Sequence, residues 1–198
     1  MSIDKINKQV EEAPLTKEES KAQFVAMTEE LGIKHSFNFE EAWEIGEEIR
    51  QRKAFRESIV DFETTVRDKG GWLSEKETHE LNPVKHSFAD GCYIREIFNP
   101  AGELLVTKIH KKKHPFFLMK GKMSILTENG VQHLEGPHHG ITEPGTKRII
   151  YTHTDCVFIT VHATDSTDVE EIEKEVIAEN FEDPLITSND INKLKQNI

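Results

Sequence analysis

The hydrophobic period of the chain changes near residue 83. Before that point apolar side chains recur every three or four positions, as on one face of a helix. After it they alternate in short runs, as in half-buried strands. In the first zone Thr16 opens "TKEE", a capping box with Glu19, and Phe24, Met27 and Leu31 follow at helical spacing as far as Gly32. Asn38 opens a second box, "NFEE". The segment after it carries Trp43, Ile45, Ile49, Phe55, Ile59, Phe62 and Val66 before "KGG" at Lys69–Gly71. The steps from Phe55 to Val66 are four, three and four, which predicts a long helix over Asn38–Lys69 with a single apolar seam. Such a seam packs on its own domain or pairs with another subunit.

The second zone, from Val84 to Thr164, contains "CYIREIF", "LLVTKIH", "PFFLMKG", "KMSILTENG", "RIIYTH" and "CVFITVHAT". Turns such as "NPAGE", "ENG", "EGP" and "EPGTK" separate them, and many short strands with frequent turns predict an all-β sandwich or barrel. The third zone is acidic. "DSTDVEEIEKEVIAE" predicts a short helix with Val169, Ile172, Val176 and Ile177 on one side, and "NFEDPLITSNDINKLKQNI" reads as a polar tail, mobile or bound to a partner. The expected organisation is a disordered leader with a helical extension over residues 1–83, a barrel over 84–164, and a short helix with a tail over 165–198.

Composition narrows the function classes. A length of 198 residues suits one domain with appendages. The net charge of −11 opposes general nucleic-acid binding, which needs a basic face toward phosphate. The polar start "MSIDKINKQVEEAPLTKEES" is no signal peptide, and no apolar run approaches the ~20 residues of a membrane span. Cys92 and Cys156 both sit in apolar, strand-like runs, so buried reduced thiols and a cytosolic rather than secreted protein are expected.

The candidate chemistry lies in "TKIHKKKHPFFLMKGKMSILTENG", Thr107 to Gly130, where two histidines flank three lysines ahead of a glycine. The zone from Gly91 to His162 resembles a cupin, a small double-stranded β-helix barrel. Anchoring the first cupin motif on Gly121 places its two histidines at Lys108 and His110 and its glutamate at His114. The second motif matches Pro144 and Gly145 in "EPGTKR", with Arg148 at the place of its histidine. The usual set of three histidines and a glutamate therefore reads here as Lys108, His110, His114 and Arg148. A metal ligand needs a lone pair, which imidazole has and ammonium or guanidinium lacks. This reading disfavours a physiological metal. His110 and His114 remain the residues that could hold a divalent ion weakly, with His162, His138 or His139 as a third ligand. Two other readings stay open: a cluster that binds a carboxylate, phosphate or sugar acid, or one that pairs with internal acids and holds the barrel together.

A narrower resemblance covers Pro83 to Glu182. "VKHSFADGCYIREIFNPAGELLVTKIHKKKH", "SILTENGVQ" and "PGTKRIIYTHTDCVFITVHATDSTDVEEIE" are similar to small cupin-like proteins encoded by bacteriophages and prophages. Lys108, His110, His114 and Arg148 belong to that pattern, whereas Thr107 stands where it often has Gly. No activity comes with the resemblance. It implies a mainly β, cupin-barrel protein with an N-terminal helical extension and a short C-terminal helix, acting without catalysis as a virion-associated or assembly component. Its place would be the host cytoplasm during infection, or the virion. Its partners would be further copies or other virion proteins, met through the N-terminal helix and polar termini. No cofactor is expected. The alternative is a small-molecule cupin with Lys108, His110, His114, Arg148 and His162 around an anion or metal, up to a metal-dependent enzyme. Elsewhere, "GPHHG" reads as a turn with His138 and His139 exposed, and Lys111–Lys113 as a solvated hairpin tip.

Overall fold

A computed structural model describes residues 15–34, 36–188 and 190. The expected leader (residues 1–14) and the end of the tail (191–198) lie outside the described residues. The chain divides into two compact units, residues 1–49 and 50–198. In the first, α1 (Lys17–Glu30) starts on the expected capping box: the Thr16 hydroxyl accepts from the Glu19 N–H, and the Glu19 carboxylate accepts from the Thr16 N–H. Phe24 packs its ring against Phe37 and Phe39, and Lys17 and Lys21 both pair with Glu40. Val25, Met27, Leu31, Ile33 and Phe37 nevertheless stay exposed.

The second helix, α2 (Phe39–Asp68), is the long helix predicted, and the Asn38 side chain accepts from the Glu41 N–H at its start. In the second unit its seam is turned to protein: Ile59 is buried, and Phe55, Phe62 and Val66 are half-buried on the same side. A short helix that the hydrophobic pattern does not announce, α3 (Glu75–Leu81), follows on a third capping box, Ser74 with Glu77.

Ten strands then build the barrel: β1 (Val84–Ala89), β2 (Cys92–Asn99), β3 (Leu104–Val106), β4 (Ile109–His110), β5 (His114–Lys120), β6 (Lys122–Thr127), β7 (Gly130–Glu135), β8 (His138–Thr142), β9 (Ile149–Thr152) and β10 (Cys156–Ala163). One antiparallel sheet has the order β1-β2-β10-β5-β8 and the facing one β3-β9-β6-β7. In that interleaved order the chain crosses repeatedly between the sheets, which is the jelly-roll connectivity of a double-stranded β-helix, the cupin architecture expected above. The sharpest crossing is at Gly121, between β5 and β6. Its φ is +100°, and a Cβ there would lie 2.4 Å from the Asp155 carbonyl oxygen and 2.6 Å from Cys156 Sγ, so only glycine fits.

Strict alternation fills the interior. Along β10, Cys156, Phe158, Thr160 and His162 point in, while Val157, Ile159 and Val161 are only half-buried on the other face. The core at one end consists of Phe116, Leu118, Met123, Ile125, Ile150, Cys156 and Phe158. The other end is polar. After β10 the chain forms α4 (Val169–Val176), capped by Asp168, and β11 (Ile177–Ala178), which pairs with β4. The segment read as a polar tail packs down in part: Ile186 is fully buried with Ile109 and Ala178, and Phe181 lies against them. Among the described residues no helix is long and apolar enough to cross a membrane.

Candidate ligand site

Strand register assembles the polar end. Tyr93 on β2 faces His162 on β10, and His114 on β5 faces Thr142 on β8. The His114 and His162 rings meet at 4.2 Å between centroids, so the four side chains form one row across the five-stranded sheet. The next row inward runs Arg95, Thr160, Phe116 and Gly140. His110 comes from β4 and meets the His114 ring at 4.4 Å and the His162 ring at 6.0 Å. Arg148 enters from the turn before β9 and sets its guanidinium 5.1 Å from the centre of the Phe116 ring.

The "EPGTKR" turn is zipped to the histidine strand. Gly145 N–H donates to the His110 carbonyl and His110 N–H to the Thr146 carbonyl. Thr107 exchanges two bonds with Arg148, one of them from the Arg148 N–H to the Thr107 hydroxyl at 2.9 Å. A glycine at 107 could not make that second bond. Lys147 is buried and reaches the Thr107 carbonyl and, at 2.7 Å, Glu63 of α2.

Four of the five residues singled out from sequence, His110, His114, Arg148 and His162, are thus brought together. Lys108 is not. Its side chain is mostly exposed and bonds Glu173 at 2.8 Å. The expectation that it joins His110 in one cluster fails because β4 contains only Ile109 and His110, so strand alternation does not extend back to residue 108. Arg95 and Tyr93 were not anticipated. The signal was present, because "CYIREIF" alternates and sets Tyr93 and Arg95 on the inner face of one strand. His138 and His139 are both exposed, as expected, although on strand β8 rather than a turn. The Lys111–Lys113 run is engaged with acidic groups: Lys111 with Asp183, Lys112 with Glu175 and Lys113 with Glu143.

Burial sets the charge state of the cluster. It pushes His110 down to about 2, helped by the neighbouring histidines and by Arg148 and Arg95. It likewise lowers His162 to about 4 and lowers His114, so all three imidazoles are neutral at pH 7. Arg148 falls only to about 10 and keeps its charge. Arg95 is also lowered by burial, and Glu173, whose negative charge bears on it, is itself bonded to Lys108. No ion pair among the described residues includes Arg95 or Arg148. Four buried polar atoms here have no hydrogen-bond partner: His110 Nδ1, His114 Nε2, Arg148 Nε and Thr142 Oγ1. His114 Nδ1 faces the Lys112 carbonyl at 3.0 Å and is therefore its proton-bearing nitrogen, which leaves Nε2 an open acceptor.

The divalent metal that cupins often hold does not fit these donors. Among the described residues no three His, Cys, Asp or Glu side chains are arranged to hold a metal ion. The histidine rings lean on one another, and a guanidinium stands at the fourth position.

No protein-family model and no curated protein matches the chain. Solved structures with a similar backbone include an ectoine synthase from P. lautus, with 12% identity and a TM-score of 0.41, covering 52% of this chain and 84% of that one. The cupin domain of Schizosaccharomyces pombe Cnp3 has 16% identity and a TM-score of 0.38, covering 48% and 71%. An acetylacetone dioxygenase from Acinetobacter johnsonii has 17% identity and a TM-score of 0.37, covering 46% and 71%. These likenesses bear on neither substrate nor chemistry.

Proposed function

We propose that the barrel binds a small anion, a carboxylate or phosphate group, between Arg95, Arg148 and the three neutral histidines, without catalysis. One observation carries this reading: two guanidiniums, Arg95 and Arg148, lie half-buried beside the imidazoles and enter no ion pair among the described residues. An isolated buried charge is costly, and natural proteins pair it. The internal-acid alternative finds no ion pair to either guanidinium among the described residues, and Glu173, whose charge bears on Arg95, is bonded to Lys108. A bound carboxylate would meet Arg148 Nε and the guanidinium of Arg95, and His110, neutral with one N–H to give, would fill a further lone pair; His114, whose proton is held by the Lys112 carbonyl, would not donate to it. Lys108, exposed and bonded to Glu173, lies outside the cluster and takes no part. Calorimetric titration of the full chain with benzoate and with inorganic phosphate tests the idea. Saturable binding that Arg148→Met abolishes and Lys108→Ala leaves intact is expected; no saturable binding of either probe would end the reading.

A second reading, assembly with further copies or with the other proteins of a phage particle, is favoured by the first unit. There Val25, Met27, Leu31, Ile33 and Phe37 are each exposed on or beside α1, with Met27 and Leu31 one turn apart on the same face. Light scattering on the full chain and on a Met27→Glu/Leu31→Glu variant checks it: a change in oligomer mass supports the reading, and an identical monomer mass for both speaks against it. The phage origin itself rests on the resemblance alone.

A further inference from the structure

We propose that residues Thr164–Ala178, with α4 at their centre, form a hinged cover over the anion site that an electrostatic clamp holds shut. The proposal rests on the anion-binding reading above and adds how the site is reached. On the inner side of α4, Ile172 and Val176 are buried and pack on Tyr93, the neighbour of His162. With this segment in place His114 and His162 are only 3% and 4% exposed, so a ligand cannot enter without displacement of something.

The outer attachments of the cover are almost all charged. Glu173 bonds Lys108, Glu175 bonds Lys112, and the Lys111 ammonium donates to the Lys174 carbonyl at 2.9 Å. The Lys111 N–H also donates to the Val176 carbonyl, and two residues of β11 pair with β4. These lysines belong to the very segment that carries His110 and His114, so the clamp and the site share one loop. Both ends of the cover are anchored more firmly. β10 pairs along its length ahead of Thr164, and Ala178 lies in the buried cluster with Ile109 and Ile186. A segment fixed at two ends, and held between them by two apolar side chains on Tyr93 and by half-exposed ion pairs, is placed to swing rather than to unfold. The same exposure makes the clamp sensitive to ionic strength.

The test needs no ligand. Diethyl pyrocarbonate labelling of His114 and His162, read by peptide mass spectrometry, reports access to the site. Three full-length proteins are compared: the parent, Glu173→Lys/Glu175→Lys, and that pair combined with Lys108→Glu/Lys112→Glu, which restores opposite charges. Slow labelling in the parent at low salt, at least fivefold faster labelling in the double variant, and a return to slow labelling on charge exchange are expected. Hydrogen exchange of β5 and β10 amides should be the same in all three. Equal labelling in all three, or labelling that rises only together with β5 and β10 exchange, would overturn the cover. Benzoate titration of the same proteins separates the two ideas. Binding that persists while labelling stays flat removes the cover alone; labelling that follows charge with no binding anywhere removes the anion reading alone.

Discussion

Mild acid should unfold this protein through its barrel histidines before its carboxylates protonate. In the folded chain His110 sits near 2 and His162 near 4, against an ordinary value of 6.5. A group whose folded value is depressed contributes stability that is intact above 6.5 and is lost as pH falls, because only the unfolded chain then takes up the proton. For one such histidine the loss between pH 7 and pH 5 is about 2 kcal/mol, from RT ln(1 + 10^1.5) at the lower pH. His110 and His162 together therefore cost about 4 kcal/mol, a large part of the ~5–15 kcal/mol that holds a typical domain together. His114 and His86, also lowered by burial, act in the same direction. The paired carboxylates Glu40 and Glu63 are held below 4.5, so they weaken the fold only at lower pH, whereas Glu103, raised by burial, opposes slightly. Urea denaturation followed by far-UV circular dichroism at pH 7.5, 6.5, 5.5 and 5.0 measures the slope. His162→Leu should shed about one proton's share, ~1.4 kcal/mol per pH unit between 6 and 5. A stability that stays flat from pH 7 to 5 in the parent would refute the assignment of neutral, buried imidazoles.

Other outcomes follow from the same geometry. Arg148→Met should leave stability unchanged or raise it by about 1 kcal/mol, since an unpaired buried charge gives way to an apolar chain; thermal melts of both proteins decide. Zinc titration of the metal-free chain should show weak binding that tightens in Arg148→His, where an imidazole replaces the guanidinium; tight stoichiometric binding by the parent that vanishes in His110→Ala would reverse this. Gly121→Ala should cost about 3 kcal/mol, because its methyl group collides with backbone at a positive φ, as urea midpoints would report. Ile59→Asp, which places a carboxylate at the buried centre of the α2 seam, should lower stability by roughly 3–5 kcal/mol in the same assay.

Much of this was legible because the two periods are clean. Phe55, Ile59, Phe62 and Val66 mark one side of a helix, and "CVFITVHAT" marks a strand with alternate faces. Thr16 with Glu19 and Asn38 with Glu41 announce helix starts by side-chain chemistry that is local to four residues. Ser74 with Glu77 carries the same signal, yet α3 has too few apolar residues for a period to show. What failed was what depends on distant partners. Lys108 takes its direction from Glu173, and Lys111 and Lys112 from Asp183 and Glu175, all more than sixty positions away. Ile186 is one apolar side chain in a polar stretch, and only its packing against Ile109 and Ala178 shows that the stretch is held. The Arg95 contribution was hidden differently, since an arginine in an alternating run ordinarily faces solvent.

Strand β10 carries one more consequence. Its inner series, Cys156, Phe158, Thr160 and His162, and its outer series, Val157, Ile159 and Val161, are both apolar enough to line a barrel. A slip by one residue would therefore bury three aliphatic side chains at little hydrophobic loss and turn His162 outward. The choice between the two alignments cannot come from greasiness. Pairing with β2 along the whole strand holds it, and at one end the register with β5 shifts between Val157 and Phe158 while the Cys156 thiol bonds the Lys122 carbonyl beside the Gly121 crossing. Gly121 stands at that end, leaving the Asp155 carbonyl and the Cys156 thiol the room a Cβ would take, while His162 lies at the opposite end of the same strand.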